Sequence, residues 1–148
     1  MNRLKFMGID YGLARVGLAV SDPEGRLAFP LATLRFSEYA TRKLLLAALA
    51  ARIQKEGCEA VVMGLPELPD GSESLTTRQV RNFTERLKRR LSLPFFYMCE
   101  ALSSEEAWAD LREVGMKADR RRMVLDQQAA VRILASFLAQ PENRRRTA

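Results

Sequence analysis

A mixed α/β fold is what this sequence predicts: three antiparallel strands, then helices alternating with parallel strands, giving a five-stranded sheet flanked by helices. Three observations lead to it. Apolar residues alternate at period two in residues 4–10 and again in 16–21, with Gly12 between them. Beyond residue 37 the apolar spacing changes to the helical one. Two short apolar runs, AVVMGLP and FFYMC, each follow a helical segment, as strands of a parallel sheet do.

The elements follow in order. Leu4, Phe6, Gly8 and Asp10 share one strand face, and Val16, Leu18 and Val20 share another after the turn, which reads as a hairpin. Asp22, Pro23, Glu24 and Gly25 have turn chemistry, and Leu27 to Leu34 reads as a third strand whose Pro30 marks an edge or a bulge. Ser37 is placed to cap a helix that runs to about Lys55 and stops at Gly57. The strand AVVMGLP ends at Pro66, and LPDGSES reads as a loop. From Thr76 to Leu91 the residues Val80, Phe83, Leu87 and Leu91 form an apolar stripe between basic residues. FFYMC is the next strand, with Glu100 at its carboxyl end. Ser103 and Glu106 have capping-box spacing for a helix that Gly115 could stop, and a final helix is predicted from about Met123 to Gln140. A chain of 148 residues suits one core, so residues 1–140 are expected to form one domain and 141–148 (PENRRRTA) a frayed basic tail.

Composition narrows the chemistry. With 47% hydrophobic and 28% charged residues the balance is that of a soluble globular protein, and no apolar run approaches the roughly 18 residues that span a bilayer. The start of the chain lacks the pattern of a secretory signal, so a cytoplasmic location without a membrane partner is expected. Cys58 and Cys99 match no metal-ligand spacing and read as two reduced thiols in or near the core. Histidine is absent, which removes the usual general base and leaves carboxylates to carry any catalysis. Net charge is +6, with basic clusters at Arg86 to Arg90, Arg120 to Arg122 and Arg144 to Arg146. Such clusters suit a polyanion, although each could also be a solvated helix face or a loose end.

Three carboxylates break local rules. Asp10 interrupts a strand that alternation says is covered, at a cost of several kcal/mol unless it is paired or bound to a metal. Glu100 stands where an apolar strand stops, the end at which α/β sheets place ligands. Asp126 lies along the same helical line as Ala130, Ile133 and Phe137. Singly, each could be a cap or an ion pair. Together they form the donor set of a site for Mg2+ or Mn2+, which take carboxylate oxygens and water and need no imidazole. Two such ions would support hydrolysis at phosphorus, with arginines offsetting the repulsion between acids and phosphates. Arg120, Arg121 and Arg122, just ahead of Asp126, and Arg15, in the turn after Asp10, are the candidate rim.

GIDYG, RVGLAVSD, MGLP with DGS, CEALSS and VLDQQAAVRIL, in this order and spacing, resemble the YqgF family of small ribonuclease-H-like proteins over nearly the whole chain. Its members are described as nucleases that mature the end of pre-16S ribosomal RNA and also as Holliday-junction resolvases. The resemblance implies a ribonuclease-H-like fold, with Asp10, Glu100 and Asp126 as metal-binding acids. It adds Arg15, Ser103 and Ser104 on the substrate side and a nearby loop shaped by Gly64, Pro66, Asp70 and Gly71. Around the second acid the family reads roughly Asp-Glu-Arg-Leu-Thr-Thr, whereas this chain has Cys99, Glu100, Ala101, Leu102, Ser103 and Ser104, losing one carboxylate and one arginine.

The expected function is therefore a metal-dependent nuclease acting on structured RNA or branched DNA, and a junction resolvase would need a homodimer to make two symmetric cuts. A non-catalytic nucleic-acid-binding factor on the same fold is the alternative from another class. An actin-like or sugar-kinase-like ATPase, which would also place an acid and glycine beside phosphate, requires a second lobe and is disfavoured by length.

Overall fold

The computed structural model describes residues 3–101 and 120–148. Its centre is a six-stranded mixed sheet. Strands β1 (Phe6–Tyr11), β2 (Arg15–Ser21) and β3 (Ala28–Arg35) form the antiparallel meander. Strand β4 (Ala60–Glu67) lies parallel to β1 and to β5 (Phe95–Ala101). With β6 (Arg146–Thr147) the order across the sheet is β3-β2-β1-β4-β5-β6. Helices α1 (Arg42–Lys55) and α2 (Leu75–Lys88) cover one face of the sheet. Helix α3 (Arg120–Ala139) crosses the other.

The two faces follow from strand alternation. Met7, Ile9, Tyr11, Val16, Leu18, Val61, Met63 and Leu65 pack with Leu45, Leu49 and Ile53 of α1 and Val80, Phe83 and Leu87 of α2. Each fully buried leucine or isoleucine there is worth about 1.5–3 kcal/mol of transfer free energy. On the opposite side Phe6, Ala19, Ala60 and Val62 meet Ala130, Ile133, Leu134 and Phe137 of α3. Among the described residues, no helix is long and apolar enough to cross a membrane.

Several boundaries differ from the sequence reading. Ser37 falls in a single 3-10 turn, Phe36–Glu38, and α1 starts later, where the Thr41 hydroxyl accepts from the Leu44 N–H at 3.2 Å. Ser74 caps α2 in a reciprocal box with Thr77, and the Thr77 hydroxyl also donates to the Pro66 carbonyl, which ties the helix to the end of β4. Helix α3 starts at Arg120, so Arg120, Arg121 and Arg122 are its first turn instead of a preceding loop. Pro30 does sit on an edge strand beside a register shift at Leu18/Ala19. The helix expected after Ser103 lies outside the described residues.

The largest departure is at the carboxyl end. The sequence predicts five strands and a frayed tail, yet Arg146–Thr147 forms β6, antiparallel to β5, and supplies the sixth strand. The Ala148 N–H donates to the Phe95 carbonyl at 2.8 Å, and Lys88 Nζ donates to the Ala148 carbonyl at 3.0 Å. Arg145 stacks 4.7 Å from the Phe137 ring centre. The polar composition hid these anchors, because each is a backbone ladder or a cation-aromatic contact made far along the chain. The cysteines also divide: Cys58 is buried, whereas Cys99 is exposed.

Candidate functional site

Helix α3 packs close over the hairpin that carries Asp10 because glycine removes what would separate them. Asp10 pairs across the hairpin with Gly17, so both face the α3 side of the sheet. A Cβ on Gly17 would stand 2.3 Å from the Asp126 carbonyl oxygen. The bare strand lets the helix backbone settle directly over the neighbour of Asp10. Gly8 and Gly64 extend the same shallow floor, where added Cβ atoms would meet Leu134 at 2.8 Å and Ile133 at 2.5 Å. Asp126 is therefore held by the depth at which α3 packs, and Asp10 by the carboxyl end of β1, half-buried between the buried Ile9 and Tyr11.

Arg15 enters the same site. As the first residue of β2 it points, like Gly17, toward α3, and its Nε donates to Asp126 Oδ2 at 2.7 Å. The two side chains are only 16% and 17% exposed, so the ion pair is sheltered from solvent. The neighbouring Gln127 Nε2 donates to the Thr33 hydroxyl at 3.2 Å, and Thr33 pairs with Gly17 in the sheet. Together these bonds pin α3 to two strands, β2 and β3. Sequence reasoning does not single out Gly17, Thr33 or Gln127; the signal available is a glycine facing a strand carboxylate, and it becomes readable only once the hairpin register is known.

Glu100 stands farther off. In the parallel ladder Gly64 pairs with Met98 and Pro66 with Glu100, which places Glu100 on the α3-side face at the carboxyl end of β5. Strand β4 lies between β1 and β5, so Asp10 and Glu100 are separated by two strand spacings, roughly 10 Å. Glu100 is exposed. Beside it, Cys99 contacts Glu67 and Arg146, whose guanidinium bonds Glu67 Oε1 at 3.2 Å. Partial burial and the Glu67 charge push the Cys99 thiol up from its usual range. Asp70 holds its own turn, accepting from Ser72 N at 2.9 Å and Oγ at 2.6 Å, which keeps its carboxyl below the usual range, and Gly71 takes the positive φ of 81° that the turn needs. Ser103 and Ser104 lie outside the described residues.

Oxygen donors from Asp10, Glu100 and Asp126 match Mg2+ or Mn2+ by type. Among the described residues no three acid or thiol side chains are gathered closely enough to hold an ion by themselves. Magnesium does not require such a cage, since it keeps several waters and is commonly held by one or two carboxylates together with substrate phosphates. Asp126, balanced by Arg15, and Asp10, whose cross-strand partner Gly17 lies under Asp126, are the two carboxylates available for such a smaller site.

A profile of the RuvX family, described as Holliday junction resolvase, matches residues 4–140. The chain belongs to the RuvX family. A RuvX relative from Nitratidesulfovibrio vulgaris (strain DP4), named "Putative pre-16S rRNA nuclease", is 55% identical over 96% of this chain and 98% of its own. A protein of the same name from Lawsonia intracellularis is 49% identical over 96% of this chain and 98% of its own. Among solved structures, Thermus thermophilus RuvC in complex with a Holliday junction substrate superposes with a TM-score of 0.55 and 18% identity, covering 98% of this RuvX chain and 99% of RuvC. That likeness establishes the ribonuclease-H-like fold.

Proposed function

We propose that this RuvX protein is a divalent-metal-dependent nuclease that hydrolyses phosphodiester bonds, with the 5′ end of pre-16S ribosomal RNA as its substrate. The observation that carries the reading is the seating of Asp126 over Gly17, directly beside Asp10. The names of relatives that match nearly full length supply the substrate.

Asp10 and Asp126 would hold Mg2+ or Mn2+, and Glu100, two strands away, would contribute on the substrate-bound form. Ions held there would supply activation of water and stabilisation of the leaving oxygen in an in-line displacement. Arg15 orients the Asp126 carboxylate and offsets its charge as phosphate approaches. Arg120, Arg121 and Arg122 in the first turn of α3, with Ser103 and Ser104, form the substrate side. On this reading the protein works in the cytoplasm.

The test is cleavage of a pre-16S 5′-end RNA with Mn2+ by wild type and Asp10→Asn. A loss of at least about 100-fold in rate is expected, since even residues that merely support a metal ligand cost 10–100-fold. Equal residual cleavage by both proteins would defeat the enzymatic reading and favour a binding factor.

Cleavage of branched DNA is the second reading, favoured by the description of the family. It requires a homodimer on the junction. Light scattering of the protein with a four-way junction decides: two chains per junction support it, and one chain per junction argues for RNA.

A further inference from the structure

A second basic region lies on the other face of the sheet. There a groove of about 350 Å³ is lined by Lys43, Leu46, Arg86, Arg89 and Arg90. It shares Leu46 and Arg86 with an adjoining pocket of about 110 Å³, which adds Tyr11, Arg42, Gln79, Asn82 and Phe83. The combined trough carries five cations, two side-chain amides and a phenol, and no carboxylate lines it. Arg42, Lys43, Arg86, Arg89 and Arg90 are all exposed.

Ordinary structural roles account for only part of this grouping: Arg42 lies 5.2 Å from the Phe36 ring centre and bonds Tyr11. Arg3, Arg26, Arg52, Arg81 and Arg146 each face a glutamate within 3.2 Å. Among the described residues no carboxylate comes within ion-pair distance of the five trough cations. Arg86, Arg89 and Arg90 at the end of α2 do complement that helix's dipole. Arg42 and Lys43 do the opposite: they occupy the first turn of α1, the positive end, where no acid is present to offset them. Cations of two elements thus converge against both their mutual repulsion and one helix dipole. A local rule broken in this way is expected at a binding site.

We propose that this trough binds the phosphodiester backbone of nucleic acid, as a second contact surface on the face opposite Asp126. The surface rests on the nucleic-acid reading above but does not depend on catalysis. Its position fits one continuous substrate. The end of the trough lies above the buried Tyr11, which immediately follows Asp10 and points to the opposite side of β1, so a strand leaving the acids need only round the carboxyl end of β1 to enter it. Arg42 Nη1, 3.2 Å from the Tyr11 hydroxyl, marks that entrance. Gln79 and Asn82 can donate to phosphate or sugar oxygens along the wall.

Fluorescence anisotropy with a short labelled RNA, and separately with a labelled four-way DNA junction, tests this over a range of salt. Arg86→Ala/Arg89→Ala/Arg90→Ala is expected to weaken binding at least 10-fold. It should also flatten the slope of log K against log salt by about 0.7 to 0.9 for each phosphate left without its cation. Lys43→Ala, on the other helix, should show the same effect at smaller size, and the triple Lys variant at the arginine positions should retain most of the affinity. Circular dichroism melts confirm that the variants fold. Unchanged affinity and salt slope in both the triple alanine variant and Lys43→Ala would overturn the trough, as would absence of binding by wild type to either probe. Asp10→Asn separates the two readings: it should fail to cleave, while the trough substitutions made in its background should still weaken binding and flatten the salt slope. Binding that depends on the trough, with no cleavage by any protein, would remove the nuclease and keep the surface.

Discussion

At the scale of single residues, Arg15 links the hairpin to the last helix through one sheltered charge-assisted bond. Arg15→Ala should lower stability by about 1.5–3 kcal/mol, the usual worth of a hydrogen bond to a charged group, as read by urea unfolding without metal. Adding Mn2+ should then restore more stability to Arg15→Ala than it adds to wild type, because a divalent ion can replace the missing guanidinium beside Asp126. A second residue reports on the core. Burial pushes the Cys58 thiol from 9.0 up to about 11. The folded state therefore keeps a proton that the unfolded state releases between these values, so this contribution to stability is full below about pH 9 and is lost as pH rises through about 11. Unfolding free energies over that range should fall more steeply for wild type than for Cys58→Ala. A thiol reagent at neutral pH should label the exposed Cys99 first.

Among elements, the decisive contact is α3 on its floor of glycines. Gly17→Ala would drive a Cβ to 2.3 Å from a backbone carbonyl, which cannot rotate aside, so the helix must lift. Overpacking of this kind costs about 1–3 kcal/mol. The same variant should lose cleavage because Asp126 moves with its helix, whereas Gly57→Ala, with nothing within 4 Å, should show only the modest cost of its left-handed backbone and keep cleavage. Thermal melts and Mn2+-dependent cleavage on both variants test the comparison. The elements themselves are largely legible in the sequence, since alternation marks β1 and β2, and helical spacing marks α2 and the stripe of Ala130, Ile133 and Phe137. The start of α1 is not. Ser37 and Thr41 offer equal capping chemistry, and only tertiary placement of Phe36 and Tyr39 against the core decides between them.

For the whole molecule, three acids can be nominated from the sequence because each violates burial or periodicity, and the elements carrying Asp10 and Asp126 come together where α3 packs over Gly17. The distance of Glu100 is not legible, since strand order, which inserts β4 between β1 and β5, leaves no trace in local pattern. Nor is the trough, whose cations come from helices more than thirty residues apart and look like two ordinary polar faces when read separately. The tail misleads for the same reason: its partners lie on β5 and on Phe137. That tail and Pro30 have a joint effect on behaviour at high concentration. One lateral border of the sheet is capped by β6, and the other carries an imino acid that offers no amide proton, beside a kink in register, with Phe29 and Leu27 otherwise open to solvent. Neither border can readily recruit another copy strand by strand, so a Pro30→Val form should seed polymerisation, seen as thioflavin-positive growth, that the native chain resists.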